Sequence, residues 1–169
     1  PLPDPLANAD AETRLAYYEQ SGTPTVILNG RQVQQIAGPF AYSQLMYEEL
    51  SKKVDRVVGS DSKISIELSA NAKDGKLSLS AKVNGTKDLP QSARLKLVLA
   101  EGVVHFDGRN EIKRHEMVVR YMPAGPDGIA PSEGGLSYES SLELGDIKQE
   151  LVDYLETTAK QYDQPFALP

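Results

Sequence analysis

Cysteine is missing from this 169-residue sequence, tryptophan is missing as well, and histidine occurs only twice. Without a thiol the chain cannot form a disulfide, bind zinc through thiolates or use a cysteine nucleophile. The absence fits reducing and oxidising surroundings equally, so it leaves the compartment open. As supplied, the chain cannot carry out dithiol–disulfide chemistry.

The sequence also lacks a long apolar run and an excess of positive charge. No apolar stretch is long enough to cross a bilayer, and residues 1–5 are rich in proline instead of forming a basic and apolar leader. The formal net charge is -6, and the basic run Lys113–His115 is flanked by Glu111 and Glu116. We therefore expect no transmembrane segment and no nucleic-acid partner. Because there is no initiator Met, we expect a processed or trimmed part of a longer protein.

The first third of the chain has alternating helix and strand signals. Asn8 or Asp10 is predicted to cap a helix that runs to about Gln20. The apolar run Thr25–Leu28 ends at an Asn-Gly turn and predicts a strand covered on both faces, with Arg31–Ile36 as its hairpin partner.

A second helix is predicted after the hairpin, within residues 40–58. Its apolar residues recur at helical spacing and predict a face directed to the core. They are Leu45, Met46, Leu50, Val54, Val57 and Val58. Residues 59–62 then break both the period and the composition, so we predict two domains, 1–59 and 63–169.

From Lys63 onward the period changes from helical to alternating, which predicts β structure. Residues 64–83 form a hairpin about Asp74-Gly75, and further strands are expected at 93–100, 103–106, 115–122 and 137–144. Several short strands with turns at this spacing are typical of a sandwich. Asp146 and Gln149 form a capping box for a helix over about 146–161, whose residues Ile147, Leu151 and Leu155 would face the sandwich.

The segment Gly22-Thr23-Pro24-Thr25, followed by an apolar strand, Asn29-Gly30, a second strand and a helix, resembles the cis-proline half of the thioredoxin superfamily. The resemblance covers roughly residues 8–58. It implies a cis bond between Thr23 and Pro24 and a loop that docks a protein or peptide partner. Thr23 and Pro24 are therefore the candidate binding residues.

The family carries its Cys-X-X-Cys pair ahead of this loop, whereas this chain has no cysteine and only 22 residues before Thr23. We therefore expect the first half of that fold to be absent. The open edge of the strand Thr25–Leu28 would then be covered by residues 63–169, by a second copy of the chain or by the missing N-terminal half.

The later segments 97–101 and 115–120 look like the β-sandwich appended to some exported bacterial thioredoxin-like proteins. The two resemblances together predict an α+β chain, namely a partial thioredoxin-like unit followed by an immunoglobulin-like sandwich with a C-terminal helix. They imply a location in the bacterial cell envelope or periplasm.

The remaining candidate sites have simpler interpretations. His105 and His115, with nearby carboxylates, match no established metal-ligand spacing, so we interpret them as structural or surface histidines. Asp127-Gly128 lacks the regular alternation of oxygen donors that calcium loops use. We expect no catalytic residue, no metal site and no cofactor.

Two functions stay open at this point. In the first, the chain is a non-catalytic binding or structural part of an exported thioredoxin-like protein. In the second, it is a fragment of a thiol–disulfide oxidoreductase whose Cys-X-X-Cys lies upstream of Pro1.

Overall fold

The computed structural model of the chain describes residues 4–19, 24–30, 32–35, 38–59, 62–107, 111–133 and 135–162. The chain divides into two compact units, one formed by Pro1–Arg14 with Ile64–Pro169 and the other by Leu15–Lys63. A boundary between the two units near residues 59–63 was expected from the sequence. The grouping of the first fourteen residues with the β-rich part was not.

The architecture is mixed α+β with antiparallel sheets and a C-terminal helix, and this confirms the predicted α+β class. The helices and strands are α1 (Ala9–Tyr17), β1 (Thr25–Leu28), β2 (Gln32–Gln35), α2 (Ser43–Val58), β3 (Ser65–Lys73), β4 (Lys76–Asn84), β5 (Leu99–His105), β6 (Arg114–Tyr121), β7 (Leu136–Glu143) and α3 (Leu144–Tyr162). The finer thioredoxin-like and immunoglobulin-like assignments stay predictions.

The unit Leu15–Lys63 contains the predicted hairpin and helix. β1 and β2 pair antiparallel across the Asn29-Gly30 turn, whose two residues both have positive φ, at 52° and 66°. This is the geometry of the tight hairpin turn that Asn-Gly favours. The side chains of β1 are half-buried, so the expectation of cover on both faces was wrong within this structure.

The predicted core-facing stripe of α2 is only partly realised. The helix has no buried residue, and Leu45, Val54 and Val58 are exposed. Met46, Leu50 and Val57 are half-buried. A two-stranded sheet offers too little surface to cover a helix of 16 residues. The stripe therefore marks an amphipathic helix and not a core helix in this unit.

The β-rich unit contains two antiparallel sheets, with strand orders β3-β4-β7 and β5-β6. The β3–β4 hairpin turns at Asp74-Gly75 as predicted. A strand over 93–100 was predicted wrongly, since Leu95 makes a single antiparallel bridge to Ile129 and regular pairing begins at Leu99. Residues 91–92 form a turn and Ile129 lies in a loop, so the described residues provide no continuous strand that could pair with this segment.

The core lies on one face of the β4–β7 pair. Its buried cluster consists of Ala81, Val83, Leu95, Leu97 and Leu136. Because strand side chains alternate between faces, Ala81 and Val83 on β4 share this face with Leu136, which lies opposite Val83 on β7. The segment that holds Leu95 and Leu97 covers them.

Helix α3 begins at Leu144, directly after β7, and not at the predicted capping box near Asp146. The Leu144 N–H donates to the carbonyl of Gly75, 2.9 Å away, so the β3–β4 turn satisfies one donor at the helix start. Ile147 and Leu155 are buried, as predicted, and Thr158 on the same face is buried as well.

The N-terminal arm, which we define as residues 4–14, is anchored to the β-rich unit through polar contacts. The side-chain amide of Asn8 donates to the carbonyl of Val119 on β6 at 2.6 Å, and its oxygen accepts from the N–H of Ala11 at 2.9 Å. The Asp10 carboxylate accepts from the N–H of Met122 at 2.7 Å. Asn8 is thus the predicted helix cap and also a tie to a strand 111 residues away.

Replacing Asn8 by Ala is expected to lower the free energy of unfolding by about 2–3 kcal/mol, since it removes a helix cap and leaves the partly buried Val119 carbonyl without this donor. Urea unfolding of the full chain measures this loss. The control Thr13→Ala removes an exposed side-chain hydrogen bond in the same helix and should change the free energy by less than about 0.5 kcal/mol. Equal losses for the two variants would contradict the anchoring role of Asn8.

Two glycines of the loop 123–135 provide a matched pair. Gly125 and Gly128 both have a φ of 72°, but a Cβ on Gly128 would lie 2.5 Å from the Leu95 carbonyl oxygen, whereas Gly125 has nothing within 4 Å. We expect Gly125→Ala to cost about 1 kcal/mol from the backbone alone and Gly128→Ala to cost about 3 kcal/mol, because the bridge to Leu95 must shift. Thermal unfolding of the two variants checks this difference. Similar costs would show that the loop moves freely away from Leu95.

Candidate functional site

The loop predicted from the thioredoxin resemblance is only partly described. Thr23 lies outside the described residues, and the conformation of the Thr23–Pro24 bond lies outside them too. Pro24 is exposed and stands in a bend directly before β1. The binding role of Thr23 and Pro24 therefore stays a prediction.

The described residues offer a different site, on the polar face of the sheet β3-β4-β7. Odd-numbered residues of β3 and β7 and even-numbered residues of β4 share this face, because directly paired residues point the same way. We call it the serine face after its hydroxyls. It is formed by Ser65, Glu67, Ser69, Asn71, Lys73, Lys76, Ser78, Ser80, Lys82, Asn84, Ser137, Glu139, Ser141 and Glu143. No apolar side chain interrupts it.

Two shallow depressions lie side by side on the serine face. One has a volume of about 590 Å³ and extends from Ser69 towards Asn84 and Gly135. The other, of about 450 Å³, continues towards Asn71 and Ser78. They share Ser69, Ser80 and Glu139, so they form one groove across all three strands.

The groups in this groove favour hydrogen bonding over proton transfer. The Asn84 side-chain amide donates to Glu67 at 2.7 Å, while Lys82 lies opposite Glu67 in the strand register without an ion pair among the described residues. The described residues provide no side-chain partner for the hydroxyls of Ser69, Ser80 and Ser137, so these hydroxyls are open to a ligand. A serine nucleophile needs a base within hydrogen-bond reach, and the described contacts provide none here.

The groove is bounded by β3, whose second edge has no strand partner among the described residues. Lys73 and Lys76 flank the two-residue turn and form its closing hydrogen-bonded pair, so the odd-numbered residues of β3 direct their backbone groups to β4. The even-numbered residues Ile66, Leu68, Ala70 and Ala72 therefore direct their N–H and C=O groups to the free edge.

The same even-numbered residues place their side chains on the apolar face of the sheet, yet they are not buried. Ile66 is 58% exposed and Leu68 is 67% exposed, although the residues opposite them on β4, Val83 and Ala81, are 7% and 2% exposed. The cover over the apolar face thus stops at β4. β3 has an open polar side, an open apolar side and an open edge.

The candidate metal ligands from the sequence do not converge. His115 lies opposite Val104, and His105 lies opposite Arg114, so the two side chains point to opposite faces of the β5–β6 pair. His115 contacts the Phe106 carbonyl. Lys96 donates to the carbonyls of Pro126 and Asp127, so a cation already contacts the loop that holds Asp127-Gly128. In the described part of the chain no three His, Asp or Glu side chains gather as metal ligands would, and no helix has the length and apolarity to span a membrane.

Comparison with models of protein families, with curated proteins and with solved structures finds no match to this chain. The thioredoxin resemblance therefore depends on the residues of the loop and hairpin alone. Sequence reasoning had not identified the serine face. The sequence did contain its pattern, because every second residue of these three strands is polar.

A titratable pair lies where α3 meets the N-terminal arm. The Tyr154 hydroxyl donates to the Glu12 carboxylate at 2.7 Å. Burial and this hydrogen bond raise the pKa of Tyr154 to about 12. The protonated phenol is thus favoured in the folded chain, and its contribution to stability is complete below pH 10, the ordinary pKa of tyrosine, and is lost between pH 10 and pH 12.

Tyr154→Phe removes this contribution. The difference in unfolding free energy between wild type and variant should stay constant up to about pH 9 and shrink from pH 10 to pH 12, as measured by urea unfolding across that range. Glu12→Gln keeps a hydrogen-bond acceptor but removes the negative charge, so the pKa of Tyr154 should be raised less. The pH range over which this stability is lost should then be narrower. A difference that stays level up to pH 12 would show that the fold does not favour the protonated phenol.

Proposed function

We propose that this chain is a non-catalytic binding chain and that β3 is its binding strand. The observation that carries the proposal is the exposure of β3 on three sides: the serine face, the row of Ile66 and Leu68, and the free backbone edge. Each side offers a different kind of contact to an extended segment of another chain.

An extended peptide can pair with β3 as an additional strand. Its backbone would hydrogen-bond to the even-numbered residues, which supplies affinity with little dependence on sequence. Its side chains would alternate, one set beside the serine face and the other beside Ile66 and Leu68. Selectivity would come from this alternation and from the charge of Glu67, because the polar set of the partner lies next to that carboxylate.

The resemblance of residues 22–30 to a cis-proline loop supports a wider proposal. The chain would be part of an exported thioredoxin-like protein of the bacterial cell envelope, and Thr23 with Pro24 would contact a protein or peptide partner. This unit would then contribute binding and not redox chemistry, since the chain has no cysteine.

The second candidate function is a fragment of a thiol–disulfide oxidoreductase. The observation in its favour is the order of Pro24, strand β1, the Asn29-Gly30 turn and strand β2, which agrees with the predicted half-fold. It requires a Cys-X-X-Cys pair encoded upstream of Pro1. Sequencing the gene upstream separates the two functions.

Peptide binding to β3 is tested with a capped nine-residue peptide of alternating Val and Lys. We expect it to slow amide hydrogen exchange at the even-numbered residues of β3, measured by NMR, because these N–H groups acquire acceptors. A peptide of alternating Val and Glu should bind at least about tenfold more weakly, since Glu67 and the net charge of -6 repel it.

The variant Ala70→Pro removes one outward N–H while it leaves the hydrogen bonds from β3 to β4 in place. It should abolish the slowed exchange without loss of the fold. The matched control Ala70→Val keeps the N–H and should bind like wild type. In a chain that sediments as a monomer, unchanged exchange with either peptide would refute β3 as a binding strand.

A further inference from the structure

We propose that β3 pairs antiparallel with β3 of a second copy of this chain, about a two-fold axis that passes through Ser69. This inference rests on the proposed role of β3 as a binding strand and names the partner. The two three-stranded sheets would then form one continuous sheet, with the two serine faces on the same side.

The backbone of β3 allows this pairing. The outward N–H and C=O groups belong to the even-numbered residues, so any antiparallel partner must place hydrogen-bonded pairs there and non-hydrogen-bonded pairs at the odd-numbered residues. An axis at Ser69, the midpoint of the nine-residue strand Ser65–Lys73, satisfies this condition. It also pairs the whole length of the strand.

The apolar side chains fit each other in this register. The first half of the row has the large residues Ile66 and Leu68, and the second half has Ala70 and Ala72. Antiparallel pairing about Ser69 places Ile66 opposite Ala72 of the other copy and Leu68 opposite Ala70. Each large side chain thus lies beside a small one, and the exposed row of one copy is continued by that of the other.

The charges disfavour two neighbouring registers and are compatible with this one. With the axis at Ser69, Glu67 lies opposite Asn71 of the other copy and diagonal to Lys73, within reach of a long side chain. An axis at Glu67 would place two Glu67 carboxylates opposite each other. An axis at Leu68 would bring Lys63 opposite Lys73. The axis at Ser69 places no like charges directly opposite each other.

Disulfide trapping tests the register, because the chain has no cysteine of its own. In Ser69→Cys the two sulfur-bearing residues would face each other in a non-hydrogen-bonded pair, with Cα atoms about 4.5 Å apart, which a disulfide can span. We expect oxidation of the full 169-residue chain to give a covalent dimer on a non-reducing gel. The matched control Ser65→Cys lies on the same face, but its two copies would be about 27 Å apart, and it should give at least about tenfold less dimer.

The interface itself is tested in the Ser69→Cys chain by adding Ala70→Pro or Leu68→Lys. Ala70→Pro removes an outward N–H, and Leu68→Lys places a charge in the apolar row. Both should abolish cross-linking and convert the chain to a monomer in sedimentation velocity. Leu68→Lys keeps every hydrogen bond between β3 and β4, so it provides the result if Ala70→Pro fails to fold.

Two results would overturn the proposal: a wild-type chain that sediments as a monomer throughout a concentration series, or equal cross-linking of Ser65→Cys and Ser69→Cys. A monomer whose β3 amides are still protected by the Val–Lys peptide would refute only the second copy as partner. A monomer whose β3 amides the peptide leaves unprotected would refute the binding role of β3 as well.

Discussion

The strict alternation of apolar and polar side chains along β4 is the constraint on which the β-rich unit depends. β4 is paired on both sides, so its register with β3 and β7 fixes which side chains of all three strands share a face. A slip of one residue would bury Ser80 and Lys82 and expose Ala81 and Val83. The core and the serine face are therefore two results of a single pairing.

The cover of the apolar face is uneven across the sheet. Leu95 and Leu97 pack over β4 and β7, and α3 contacts β6 and β7, while the row on β3 receives no comparable cover. Exposed contiguous apolar side chains are typical of interaction sites, and the proposed binding role of β3 rests on this exposure.

Local signals in the sequence were enough for the two hairpins. Asn29-Gly30 and Asp74-Gly75 predicted the turns, the apolar run Thr25–Leu28 predicted β1, and alternation predicted β3 and β4. They were also enough for Ile147 and Leu155 on α3. Alternation cannot tell an edge strand from a central one, so the exposure of β3 was not predictable. The groove was missed for a related reason, because Ser69 on β3, Ser80 on β4 and Glu139 on β7 meet only once the strands pair.

The anchoring of the N-terminal arm makes Leu15–Lys63 an insertion between two parts of one unit. The arm is the first of these parts to be synthesised, yet the carbonyl of Val119 that Asn8 binds is made more than a hundred residues later. The arm therefore cannot form its hydrogen bond to Val119 until the inserted unit and most of the sheet have emerged from the ribosome. Its docking closes a long loop, and the cost of that closure grows only with the logarithm of the length. The inserted unit can thus vary in length at little cost to its host.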